Sequence, residues 1–415
     1  MSSSNPERFF LYSITLQYRF EIEQDRTGVL VESQYDMPLS NMDSNCFEKN
    51  LYKSDDVHIF RLYRNDFIIS EVYLITEFDS IRFKALFQRY IEEDKFSGTV
   101  LVVKDNEVIF EKAYGVACKS FNVKNRIDTK FNIGSLNKLF TKIAILQLAQ
   151  RGLLGIDDLV GKHLPNFRED IASKGTIRHL ISFTSGLGDY FNEKFFASLG
   201  NLRKVDDFLP FFIDAPLLCE PGEERNYSNA GYVVLGKIIE AVSGQDYYDY
   251  IRENIYIPAG MENSDHYEID SVVENRAIGY TRYMLDGIFH PTRRRRNFFL
   301  IGSRGSPAGG GYSTVYDMLN FDRALHQEIL LDSNYLKMAL MPLNANLNSK
   351  PRCMILAGGA QGLTALYMKF FETGYTVFVM SNYDPDDVEP LVDEIRSLLM
   401  PDNEEKSIVK LRNKK

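Results

Sequence analysis

Cysteine is scarce in this chain. Cys46, Cys118, Cys219 and Cys353 are the four present among 415 residues, and they lie far apart. With no CxxC pair and no histidine grouping at metal-ligand spacing, they form neither a disulfide framework nor a zinc site, and read as buried or free thiols. The six histidines do not cluster, so no metal and no cofactor is expected. A stretch of about 18 apolar residues, enough to span a membrane, is missing. Positive charge is in deficit: the formal net charge of -9 argues against a nucleic-acid partner, because phosphate contacts need a basic face. The segment Phe9 to Ile22 is broken by polar residues at every second position and is followed by no small-residue cleavage site, so it is not a secretory leader. A cytoplasmic location is expected, with signal-independent export left open.

What is present is the composition of a soluble globular protein long enough for more than one domain. Tyr12, Ile14, Leu16, Tyr18, Phe20 and Ile22 alternate with polar residues, the period of a half-buried strand. Gly28 to Tyr35 and Val57 to Ile75 continue in the same vein, with Arg64-Asn65-Asp66 as a turn. Residues 1–77 are therefore expected to form a separate β-rich module, structural or oligomerising, with a substrate-selecting flap as the alternative. From Asp79 the spacing of Ile81, Leu86, Phe87, Tyr90 and Ile91 predicts a helix. Gly98 to Phe110 predicts two strands around the Asp105-Asn106 turn. Near the end, Ala365 to Phe371 and Thr376 to Met380 predict two more strands, then a helix over Val388 to Leu399 and a charged tail from 403 to 415. The run Arg293 to Arg296 reads as a solvated loop, or alternatively as a site for an acidic partner or anionic lipid.

The chemistry gathers at Phe131 to Lys138. A serine opening a helix with a lysine three residues on places hydroxyl and amine one turn apart on one face, where the amine can take the hydroxyl's proton. Tyr227-Ser228-Asn229 stands at the mouth of a second apolar helix, and a glycine-rich strand, Leu356-Ala357-Gly358-Gly359, follows near the C-terminus. Gly309-Gly310-Gly311 permits close backbone approach or serves as a plain turn. Ser-x-x-Lys, a polar second motif and a strand-borne third form the layout of β-lactamases and penicillin-binding proteins.

At these residues, and at Phe96 to Val102, Thr184-Ser185-Gly186-Leu187 and Pro221-Gly222, the chain resembles the serine β-lactamase-related family: class C β-lactamases, D-alanyl-D-alanine carboxypeptidases and family VIII-type esterases. The match covers about residues 79–400. The resemblance implies an α/β (α+β) fold of the β-lactamase/transpeptidase type, a central antiparallel sheet flanked by helices with a mostly helical lobe, in a domain spanning 78–402. It implies Ser135 as acylated nucleophile, Lys138 as its proton acceptor, Tyr227 as a phenolate-like proton shuttle and Asn229 as holder of the substrate carbonyl. The backbone N–H groups of Ser135 and Gly359, beside Gly358, would form the oxyanion site. The partner is then a small-molecule or peptide substrate, with homo-oligomerisation through the N-terminal module open.

Three departures limit the substrate. Leu356 stands where the third motif usually has Lys or His, which argues against a penicillin or a free-carboxylate peptide; the interval Pro342 to Leu356 looks shortened; and Phe183 replaces a histidine, read as packing variation. A serine hydrolase acting on an ester or amide is expected, with a non-catalytic binding or assembly protein as the alternative. The plainer alternatives for single residues are an N-cap for Ser135, a solvated first-turn lysine for Lys138, a core aromatic for Tyr227 and a cap for Asn229.

Overall fold

The structure is a computed structural model. It describes the backbone of six strands within residues 1–79, then residues 80–340 except 286 and 287 (and the side chains at 291 and 292), and residues 352–400. The chain divides into two compact units, residues 1–84 with 401–415, and residues 85–400.

In the first unit, β1 (Arg8–Tyr12), β2 (Arg19–Asp25) and β3 (Gly28–Ser33) form one antiparallel sheet, and β4 (Tyr52–Ser54), β5 (Val57–Arg64) and β6 (Phe67–Ile75) another. The long alternation from Tyr12 is thus not one strand. Tyr12 pairs across to Arg19 and Phe9 to Ile22, because a hairpin preserves a period of two while reversing the chain. The division at residue 84 falls inside helix α1 (Ser80–Glu92) rather than at residue 77. The tail from 403 lies outside the described residues.

The second unit is built on a five-stranded antiparallel sheet. Its strands are β7 (Gly98–Lys104), β8 (Glu107–Tyr114), β15 (Cys353–Ala360), β16 (Leu363–Phe370) and β17 (Tyr375–Ser381), in the order β15-β16-β17-β7-β8. Asp105 and Asn106 turn between β7 and β8 with φ of 47° and 73°, the left-handed pair a two-residue hairpin demands. The inner strands β17 and β7 are buried along nearly their whole length, as strands covered on both faces must be. At one edge, β8 exposes Glu107, Glu111 and Lys112, charges that discourage pairing with another chain. The other edge, β15, borders the candidate site.

Short pairs tie the loops: β9 (Val116–Cys118) with β10 (Val123–Lys124), and β11 (Phe131–Asn132) with β14 (Tyr312–Ser313). Helix α2 (Asn137–Gln150) is buried on nearly every side, which explains why its sequence is apolar without a polar face. Phe140 meets Tyr256 and Phe321 edge-on at 5.2 and 4.9 Å. The lobe helices are α3 (Val160–His163), α4 (Glu169–Ala172), α5 (Ile177–Ile181), α6 (Glu193–Ser198), α7 (Asn229–Ser243) and α8 (Tyr247–Ile251), of which α7 and α8 pack on α2. After them come α9 (Val315–His326), α10 (Ser333–Leu340), α11 (Pro385–Val388) and α12 (Pro390–Leu399). The closing helix is therefore two pieces, broken where Pro390 removes a backbone donor. Helix α1 is fastened to α12 by Tyr90 Oη, which donates to Glu394 at 2.8 Å.

The arginine run is not a solvated loop. It ends strand β13 (Ile288–Arg296), paired antiparallel with β12 (Tyr280–Leu285). The run is split: Arg293, Arg295 and Arg296 are exposed, while the Arg294 side chain is 1% exposed and pairs with Asp387 at 2.9 Å, Asp94 at 3.1 Å and Asp384 at 3.3 Å. A buried guanidinium needs that many acceptors to offset its desolvation. Most of the interval from Pro342 to Leu356 lies outside the described residues.

Candidate active site

Ser135 lies in a single 3-10 turn, Gly134–Leu136, that feeds into α2, so the helix expected to open at Ser135 begins at Asn137. The turn is built locally. Asn132 Oδ1 accepts from Gly134 N–H at 2.9 Å, Leu136 N–H donates to Ile133 O at 3.1 Å, and Gly134 takes a φ of 50° that a side chain would oppose. It is also gripped from both sides. A Cβ on Gly358 would stand 2.0 Å from Ile133 O and 2.8 Å from Ser135 N. A Cβ on Gly309 would meet Gly134 O at 3.2 Å, and Gly310 N–H donates to that same oxygen at 3.3 Å. The glycine run is therefore a close-approach site rather than a plain turn. Gly359 N would lie 2.9 Å from a Cβ on Gly134, which brings edge strand β15 against the serine.

One helical turn on, Lys138 is buried, with 6% of its surface exposed. Its Nζ lies 3.1 Å from Ser135 Oγ and 2.6 Å from Asn229 Oδ1, and also meets the carbonyl of Ala308. Tyr227 Oη donates to Ser135 Oγ at 2.8 Å. Lys138 and Tyr227 thus converge on the Ser135 hydroxyl, with Asn229 joined to it through Lys138, and the plainer alternatives fail individually. Ser135 caps no helix, Tyr227 is 50% exposed, and it is Ser228, accepting from Gly231 N–H at 3.0 Å, that caps α7.

The electrostatics follow from burial. Desolvation lowers Lys138 to about 7, against an upward pull from Asp189. A neutral amine has two hydrogens and one lone pair. The Asn229 and Ala308 oxygens can hold the hydrogens, leaving the lone pair for the Ser135 hydroxyl. Burial raises Tyr227 above its ordinary value, partly countered by the Ser135 hydrogen bond. Burial thus favours the neutral phenol of Tyr227.

Three contributors were not legible beforehand. Asp189 accepts from Asn229 Nδ2 at 2.7 Å, which fixes the amide so that its oxygen faces Lys138. Burial raises the Asp189 carboxyl, with the Tyr190 N–H, Asn229 and Lys138 opposing. Its one trace in sequence is an acid beside the aromatic pair Tyr190-Phe191, directly after the Thr184 to Leu187 turn. The Ala308 carbonyl leaves no side-chain trace. Phe183, with a φ of 62°, stacks on Tyr227 at 4.8 Å and 24°; it is a support for the tyrosine ring held in a conformation bulky residues avoid. Leu356 is half-buried against the core, and β15 carries no acidic or basic side chain. Among the described residues no group of His, Cys, Asp or Glu could hold a metal, and Cys118, Cys219 and Cys353 are free.

The family model described as Beta-lactamase matches residues 83–396. The chain belongs to that family. It is 29% identical over 333 residues to "Penicillin-binding protein 4*" of Bacillus subtilis, covering 73% of this chain and 72% of the relative, whereas "Protein flp" of Staphylococcus aureus, 34% identical over 44% of this chain, is spanned over only 37% of its length. A penicillin binding protein from Bacillus halodurans superposes with a TM-score of 0.64 at 28% identity, over 74% of this chain and 98% of that one. The octameric penicillin-binding protein homologue from Pyrococcus abyssi gives 0.63 at 24%, over 76% and 77%. As a Beta-lactamase family member with a penicillin-binding-protein-like fold, the chain is a serine hydrolase. No helix among the described residues is long and apolar enough to cross a membrane.

Proposed function

We propose that this family member cleaves an ester or amide lacking a free carboxylate, through an acyl-enzyme on Ser135. The observation that carries this reading is the double hydrogen bond on one oxygen: Lys138 Nζ and Tyr227 Oη both meet Ser135 Oγ. Lys138 takes the Ser135 proton as Oγ attacks the carbonyl carbon. The Ser135 and Gly359 N–H groups receive the negative charge that develops on the carbonyl oxygen. Tyr227 gives its phenolic proton to the leaving oxygen or nitrogen and is reprotonated from Lys138, so the first half-reaction conserves protons. Water then attacks the acyl-enzyme with the same groups in reverse. Leu356 supports the choice of substrate, since the wall it occupies has no cation for a carboxylate. One Asn229 N–H is committed to Asp189, so a substrate carbonyl is held by the remaining one.

Intact-mass analysis after treatment with a fluorophosphonate tests the proposal. One adduct is expected, on the peptide carrying Ser135, together with turnover of short-chain nitrophenyl esters. Failure of the fluorophosphonate, a fluorescent penicillin and the esters alike would return the chain to a binding or assembly role.

Asp189 acts on this chemistry through Asn229, as a positioning residue. Asp189→Asn removes a negative charge that favours the Lys138 ammonium, so the acid limb of kcat/KM should move to lower pH. A uniform loss of rate without movement of that limb would reduce Asp189 to a structural part. We propose further that the strands within residues 1–77 are the surface through which copies of the chain associate.

A further inference from the structure

The β12–β13 hairpin is fixed at its base and exposes apolar side chains on its last described pairs. At the base, Arg294 is locked among three aspartates, and Tyr280 N–H donates to Asn382 O at 2.8 Å. Toward the tip, Met284 pairs with Phe289 and Leu285 with Ile288, and all four side chains are exposed, at 50%, 50%, 49% and 74% respectively. Successive pairs in a hairpin point to opposite faces. The apolar surface therefore wraps both faces, which a flat protein partner could cover only on one side. A lipid interface covers both.

Charge agrees. Arg293 and Arg295 are exposed on the face opposite the buried Arg294, and their guanidinium carbons lie 4.8 and 5.9 Å from the ring of Tyr283. Among the described residues neither makes an ion pair, on a chain whose net charge is -9. Two cations without an ion pair and a tyrosine, behind four exposed apolar side chains that flank Asp286 and Gly287 in the sequence, form the arrangement of an interfacial anchor.

We propose that this hairpin docks the protein on an anionic lipid surface, with Met284, Leu285, Ile288 and Phe289 entering the headgroup boundary and Arg293 and Arg295 meeting lipid phosphates. Docking of this kind is peripheral and reversible, and stands independently of the chemistry at Ser135.

The chain has no tryptophan, so Phe289→Trp installs a single fluorescent reporter in the full-length protein. With vesicles of equal parts phosphatidylcholine and phosphatidylserine, its emission should shift to the blue and be quenched by brominated lipid. The same reporter at Ile329, an exposed position in the bend between α9 and α10, should not respond. Co-sedimentation should weaken about fivefold for each of Arg293→Ser and Arg295→Ser. It should also fall at about 1 M salt, where the screening length is about 3 Å. The circular dichroism spectrum and the thermal midpoint should stay native in these variants, showing them folded. An unshifted Phe289→Trp spectrum with no sedimentation overturns the proposal, and leaves an acidic protein as the partner to seek. Equal, salt-independent binding to pure phosphatidylcholine overturns the role of the arginines.

Discussion

Ser135→Ala and Lys138→Met should each lower kcat for ester hydrolysis by about 10⁴-fold or more, and the double variant should be no worse than either alone. The reason is that hydroxyl and amine act as one unit, joined at 3.1 Å with no second base touching Ser135 Oγ among the described residues. Methionine suits the test at Lys138 because it fills a similar buried volume without a proton acceptor. The pH profile supplies a separate check. Lys138 is held at about 7 by burial, so it is neutral and competent above that pH and protonated below it. The kcat/KM of the native protein should therefore rise with pH through about 7. An acid limb in the ordinary carboxylate range would mean that some other group removes the proton.

The second large effect is expected from Gly358→Ala, which removes no functional group at all. The added methyl would stand 2.0 Å from Ile133 O and 2.7 Å from Leu136 N, inside van der Waals contact with backbone that cannot rotate away. Strand β15 must then retreat from the serine turn and carry Gly359 N with it. Loss of one oxyanion donor costs about 10²–10³-fold in kcat, and that is the loss expected here with KM affected less. Fluorophosphonate labelling should slow in proportion, while the circular dichroism spectrum stays close to native. Unchanged turnover would show that β15 is not part of the oxyanion site.

Much of this layout was legible in the chain. The Asp105-Asn106 hairpin, the apolar strands β7, β16 and β17, and the buried helix after Ser135 follow from local pattern, because each depends on residues a few positions apart. The same holds for Ser135 with Lys138, one helical turn apart, and for Tyr227 with Asn229. Locality also explains the misreadings. The alternation from Tyr12 to Ile22 looks identical whether the chain runs straight or doubles back, and four consecutive arginines look solvated unless the aspartates at 94, 384 and 387 are known to sit around one of them.

By itself, then, the sequence determined which groups could react: a serine with an amine one turn away, a tyrosine and an asparagine at a second helix mouth, and a third strand without its usual cation. Those are statements about spacing along one chain. Only the tertiary structure decided how they meet. It set Tyr227 on the same oxygen as Lys138, brought the hidden Asp189 to fix Asn229, and pressed Gly309 and Gly358 onto both sides of the serine turn. These contacts join residues tens to hundreds of positions apart, and burial, which sets the protonation of Lys138 and Tyr227, belongs to the packed assembly and not to any stretch of sequence.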